Sequence, residues 1–214
     1  LGILAVFVGG ALALYAVRAG TMVASGAFQT VSRESALVAN NILLAVAALV
    51  VFVGTIWPLV AEMLFGRTLS VGPPFFDAAF TPFMVVLAVI LPVGSMLAWK
   101  RGNIGRELRS LWAVLLLAVA LAALAFALQT GRSALGPIGA LLGAWIVAGT
   151  ARDLWARTGR GTNRLSRLTR LPRADWGKAL AHAGMGVSIF GIAAATAWQV
   201  EDIRVAQIGD RFPV

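Results

Sequence analysis

RLPRADWGKALAHAGMGVSIFGIAAATAW, residues 170–198, decides how this chain is read. From Trp176 to Trp198 the run is long and apolar enough to cross a bilayer, for which a helix needs about 20 residues. Tryptophans bracket it, as the two interfacial belts of a membrane favour. Inside it stands His182, the only histidine of the 214 residues. An ionisable ring is costly in hydrocarbon, so by default it marks a functional site.

The remainder of the chain agrees with that first stretch. Hydrophobic residues make up 59% and charged residues 13%, and the mean hydropathy is +0.86, outside the range of soluble domains. The expected fold class is all-α, a polytopic transmembrane helix bundle. About six spans are expected, over residues 1–17, 36–64, 78–99, 111–128, 135–154 and 176–198. Pro82 and Pro92 are expected to interrupt the third. Gly139 and Gly143 form a GxxxG pair in the fifth, which reads as a close helix–helix seam. Residues 201–214 read as the start of a periplasmic segment. The opening in mid-hydrophobic run and the close at Phe212-Pro213-Val214 read as a piece of a longer protein. The absence of cysteine removes disulfides, thiolate chemistry and Cys-ligated metals.

Charge orients the bundle. Residues 18–35, 100–110 and 155–175 read as basic loops, and with Arg152 and Lys178 at their edges they hold most of the 18 cations. Arg67, Arg132, Arg204 and Arg211 fall on the other side. The positive-inside rule then puts the basic loops in the cytoplasm and both chain ends outside. The net charge of +9 is thereby assigned to topology, and no nucleic-acid partner is expected. The arginine run from Arg157 to Arg173 reads as a partly helical loop, solvated or at the level of the lipid headgroups.

Three uses of the His182 ring fit the residues. It can hydrogen-bond a neighbouring helix, serve a proton relay, or act as an axial ligand, since neutral imidazole binds iron well and b-type haem sits between bundle helices. A relay needs further mid-span acids or histidines, whereas Glu62 and Asp77 lie at outer ends. Gly186, one turn on, would clear space for a flat macrocycle. His182 lies six residues beyond Trp176, about 9 Å along a helix, in the cytoplasmic third of the membrane. Asn40 and Asn41 enter the second span from the same side and are expected to give one contact to the ring or the bound group. Arg33 and Arg18, at the membrane base, are suited to pair with propionates. On the outer side, FGRTLSVGPPFF (residues 65–76) reads either as an interfacial loop or as a rigid lip where something apolar docks.

Several stretches together resemble one family: SRESALVANN (32–41), VGTIWPL (53–59), SVGPPFFDAAFTPFM (70–84) and LPRADWGKALAHAGMGVSIFGIA (171–193). The family is that of the cytochrome c-type biogenesis protein CcmF, the haem lyase subunit of the system I maturation machinery. The resemblance implies a multi-pass protein of the bacterial inner membrane whose active face is periplasmic. It implies that His182 is an axial iron ligand of a permanent haem b, with the partner histidine, the tryptophan-rich WWD segment and two periplasmic histidines upstream of Leu1. The full-length protein would take haem from the chaperone CcmE, work with CcmH and CcmI, and join haem vinyl groups to the CXXCH thiols of an apocytochrome c. The b haem would reduce the transferred haem, with quinol as a possible electron source. On this reading the segment alone is not catalytic. A transporter half or a structural membrane anchor without haem is the competing expectation.

Overall fold

A computed structural model describes residues 2–22, 26–27, 29–129, 134–159 and 161–198. The expected periplasmic segment at 201–214, with Arg204 and Arg211, and also Arg132 and Arg160, lie outside the described residues. Those described are all-helical. They form α1 (Gly2–Arg18), α2 (Arg33–Phe65), α3 (Pro73–Met96), α4 (Ile104–Ser110), α5 (Trp112–Leu128), α6 (Leu135–Arg157), α7 (Arg164–Thr169) and α8 (Arg173–Trp198). A 3-10 turn follows α1.

Arg33–Phe65, Pro73–Met96, Leu135–Arg157 and Arg173–Ala195 are each long and apolar enough to cross a membrane. The chain is a multi-pass membrane protein. A fifth crossing results if α4 and α5 are one span, bent by 54° at Leu111. The expected first span, α1, has 17 residues, fewer than the ~20 a span requires, and its described side chains are exposed. Among the described residues the count reached by length and composition is therefore four or five, against the six expected.

Two other expectations are corrected. α3 runs unbroken through Pro82 and Pro92. Pro92 leaves the Ala88 carbonyl without its helical donor, and in the same turn the indole Nε1 of Trp145 on α6 donates to the neighbouring Val89 carbonyl, 3.1 Å away, tying α3 to α6 there. The SVGPP stretch is not a free loop through its prolines, because Gly72 is the N-cap and Pro73 and Pro74 are the first helical residues of α3. Proline suits that position, where its missing N–H would have no partner anyway.

Close contacts between small residues set the packing. In the α2–α3 hairpin a Cβ on Gly54 would stand 2.6 Å from the Phe75 ring, and one on Gly94 would stand 3.0 Å from Ala36 Cβ. Gly149 of α6 admits Pro92 of α3 in the same manner. α5 lies against α6 through a core that includes Leu111, Ala118, Leu142, Trp145 and Ile146. α8 covers another face of α6, and Trp198 Nε1 ties its end to the Leu128 carbonyl at 2.9 Å. α6 is thus the central helix, buried continuously from Leu142 to Ile146.

Candidate functional site

The site is assembled where α2, α3 and α8 converge. Ser32, fully buried, caps α2 by accepting from the Ser35 N–H at 3.2 Å. Beside it the chain after α3 is stitched down. The Arg33 N–H donates to the Ala98 carbonyl at 3.1 Å, and the Gly102 N–H donates to Val31 at 2.7 Å. Both Glu34 carboxylate oxygens accept from the Lys100 N–H, at 3.0 and 2.9 Å. Lys100 has φ of +62°, a left-handed conformation unfavourable for a residue with a Cβ, and the Glu34 contacts hold it. The SRE triplet therefore has a structural job: it locks the α3–α4 connection onto the start of α2. The Arg33 guanidinium is left over the Trp99 ring, 5.0 Å from its centroid.

One turn and more above this knot a cleft of about 260 Å³ opens. Arg33, Asn40, Lys178 and His182 line it with apolar walls from Leu37, Leu43, Leu87, Ile90 and Leu91. The structure thus brings together His182, Asn40 and Arg33 from the residues singled out in the sequence. It does not bring Asn41 into the lining. Asn41 is exposed and accepts a hydrogen bond from Asn40 Nδ2 at 3.3 Å. Arg18, at the end of α1, is exposed and is not part of the lining either.

Gly186 requires a correction. A Cβ there would meet Val147 Cγ2 at 2.8 Å, the Gly143 carbonyl at 3.0 Å and Ile146 Cγ2 at 3.1 Å. Its missing side chain serves the α6 seam, and no part of it lines the cleft. Gly143 answers from the other side, where a Cβ would lie 2.7 Å from the Gly186 carbonyl. The GxxxG pair is a helix seam, as its spacing suggests.

Two residues beside the histidine escaped the sequence reading. Lys178 sits one turn before His182 inside α8, and its Nζ bonds the Asp153 carboxylate of α6. Asp153 is 5% exposed and also takes Arg157 Nε at 3.3 Å; Arg157 reaches on to Asp175 at 2.9 Å. A signal was present: Asp153 is the lone acid of α6, beside Arg152 and one turn from Arg157. Part of the arginine run is likewise structural. Arg164 lies over the Trp155 ring at 4.4 Å and donates to the Trp155 carbonyl and to Thr158 Oγ1, closing α7 onto the end of α6.

The chemistry of the cleft follows from this donor set. Among the described residues no side chain or carbonyl hydrogen-bonds the half-buried His182 ring, so its nitrogens remain available to a ligand. Nor do three His, Cys, Asp or Glu side chains gather to hold a bare metal ion among those residues. An apolar wall, one imidazole and two cations at one end fit a flat apolar macrocycle that brings its own metal and carries carboxylates. Enclosed small-molecule sites occupy ~300–1,000 Å³, and this cleft is smaller.

Fold and cleft together define a multi-pass helical membrane protein with a single histidine on the wall of an interhelical cleft. Over 212 residues the chain is 57% identical to the cytochrome c-type biogenesis protein ccl1 of Rhodobacter capsulatus, covering 99% of this chain and 32% of that protein. It is 42% identical over 212 residues to CycK of Bradyrhizobium diazoefficiens, covering 97% and 32%. It is 38% identical over 200 residues to CcmF of Pseudomonas fluorescens, covering 93% and 30%. No protein-family model matches the chain, and no solved structure matches it. The chain belongs to the CcmF, CycK and Ccl1 family of cytochrome c-type biogenesis proteins, and it spans about a third of the length of these relatives.

Proposed function

We propose that this segment supplies one axial histidine, His182, to a b-type haem in a haem-handling subunit of cytochrome c maturation. The observation that carries the reading is an imidazole without a hydrogen-bond partner among the described residues, set in an apolar cleft also lined by Arg33 and Lys178. In this reading His182 binds the iron through one ring nitrogen. Arg33 and Lys178 pair with the propionates, and Leu37, Leu87 and Leu91 exclude water from the macrocycle face. Lys178 has its position fixed beforehand by Asp153. When bound, the haem supplies reversible one-electron transfer. On the family's pattern a second ligand would come from the rest of the full-length protein.

The full-length protein, on the family's pattern, is a haem lyase of the bacterial inner membrane. It attaches haem to the CXXCH thiols of an apocytochrome c at the periplasmic face, with CcmE as haem donor and CcmH and CcmI as partners. On the same pattern a bound b haem would supply the reducing electrons for the transferred iron, and quinol is the electron source this reading would call on. A cytoplasmic-side cleft is suited to that electron-feeding role, because the bond-forming site lies at the opposite surface. The test is the reduced absorption spectrum of the purified full-length protein with and without His182→Ala. Loss of the b-type bands in the variant is expected. Bands unchanged by the substitution would remove His182 from the site, and a wild-type protein without haem would favour the transporter or anchor reading.

A further inference from the structure

Thr150 of α6 is 4% exposed, and among the described residues its Oγ1 is the buried side-chain polar atom without a hydrogen-bond partner. Leaving a hydroxyl unpaired in an apolar interior is destabilising, so a buried orphan of this kind demands an explanation.

The register of the α6–α8 seam supplies one. Gly136 meets Ala197, Gly139 meets Ala193, and Gly143, Ile146 and Val147 all meet Gly186. Nearer the cytoplasmic end Asp153 holds Lys178. The helices are therefore antiparallel, and α6 between Val147 and Asp153 stands opposite α8 between Gly186 and Lys178. Thr150 is midway along the first interval and His182 midway along the second. Thr150 also lies on the face that meets α8, because it follows Gly136 and Gly143 at seven-residue spacing, two helical turns apart. Its neighbour Gly149 faces Pro92 of α3 instead.

We propose that Thr150 is a positioning residue for His182 when the haem is bound, its Oγ1 then accepting a hydrogen bond from the ring nitrogen turned away from the cleft. This rests on the reading of His182 as an axial ligand. An imidazole that gives one nitrogen lone pair to iron carries its proton on the other nitrogen, which then needs an acceptor. The cations Lys178 and Arg157 cannot accept, and the Asp153 carboxylate is engaged by both of them. On the α6 side of the ring, away from the cleft that Asn40 lines, Thr150 Oγ1 is the buried acceptor at the right depth without a partner. The bond fixes the tautomer and the plane of the ring and raises its basicity.

The test uses the full-length protein, comparing wild type with Thr150→Val, Thr150→Ala, Thr150→Ser and His182→Ala for haem content and reduction potential. Val keeps the branched shape and Ala adds no bulk; both lose the acceptor. About tenfold weaker haem retention is expected for each, with the potential of the remaining haem raised, since a less basic ligand favours the ferrous state. Thr150→Ser keeps the oxygen and stays at the wild-type potential. A merely structural role would reduce the yield of folded protein and leave that potential in place. If His182→Ala loses the haem while Val and Ala keep the wild-type potential, the Thr150 assignment falls and the ligand reading stands. If His182→Ala keeps the haem, or the wild type binds none, both fall.

Discussion

α8 meets its two neighbours in opposite ways. Towards α6 it presents Ala179, Gly186, Ala193 and Ala197, all buried, and backbones approach until a single added Cβ would collide. Towards α2 it leaves a cleft open, lined by His182 and by Lys178, whose Nζ reaches back to Asp153 of α6. The difference divides the labour within one helix. The close seam fixes where the histidine stands, and the open flank leaves room for what the histidine holds. Stability in lipid comes mainly from packing and interhelical polar contacts, since lipid is as apolar as leucine. A helix that carries a ligand on one flank must therefore be held by the other.

The largest expected effect tests the seam itself. Gly186→Leu should destabilise the 214-residue chain by about 3 kcal/mol or prevent folding, because its first added atom meets the Gly143 backbone. Gly184→Leu, two residues away with nothing within 4 Å, should stay within about 0.5 kcal/mol. Thermal unfolding in detergent would compare the two, and equal losses would deny that one face of α8 is the held face. Next comes the polar end of the seam. Asp153→Ala leaves Lys178 without its anion, while Arg157 keeps Asp175, and should cost about 2 kcal/mol, below the 3–5 kcal/mol of fully buried pairs because both cations keep some solvent contact. A denaturant series on the same chain measures it. The smallest effect belongs to the open flank. Asn40→Ala should lower haem retention in the full-length protein with little change in stability, and Asn41→Ala should leave both unchanged, because of the two only Asn40 lines the cleft. Equal effects on retention would show that the two amides act as a pair through their mutual hydrogen bond.

Much of this arrangement was legible in the sequence because hydrophobic runs and their punctuation are local signals. α5 ends at Leu128 and α6 begins at Leu135, where the apolar runs stop and start, whereas α6 continues past its apolar run to Arg157. His182, Asn40 and Arg33 share a cleft because equal depths on converging helices follow from counting residues inward from the membrane base. What stayed hidden depends on which way a helix is turned. Gly186 reads equally well as room for a ligand or as a packing contact until α6 is beside it. Asp153 looks like one more interfacial charge until Lys178 is found bonded to it across the seam. The prolines of SVGPPFF signal a turn locally, but with Gly72 as cap they begin α3, and Phe75 and Phe76 then fill the notch at Gly54. Those are facts of helix rotation and register, which a single sequence encodes only through its partners.

The central claim is that His182 binds haem iron. It is tested most directly by replacing it with glycine in the full-length protein and adding imidazole. The account predicts that His182→Gly loses the reduced b-type spectrum and that free imidazole, entering the space the side chain left, restores it. A His182→Gly protein with the wild-type spectrum and no response to imidazole would contradict the account.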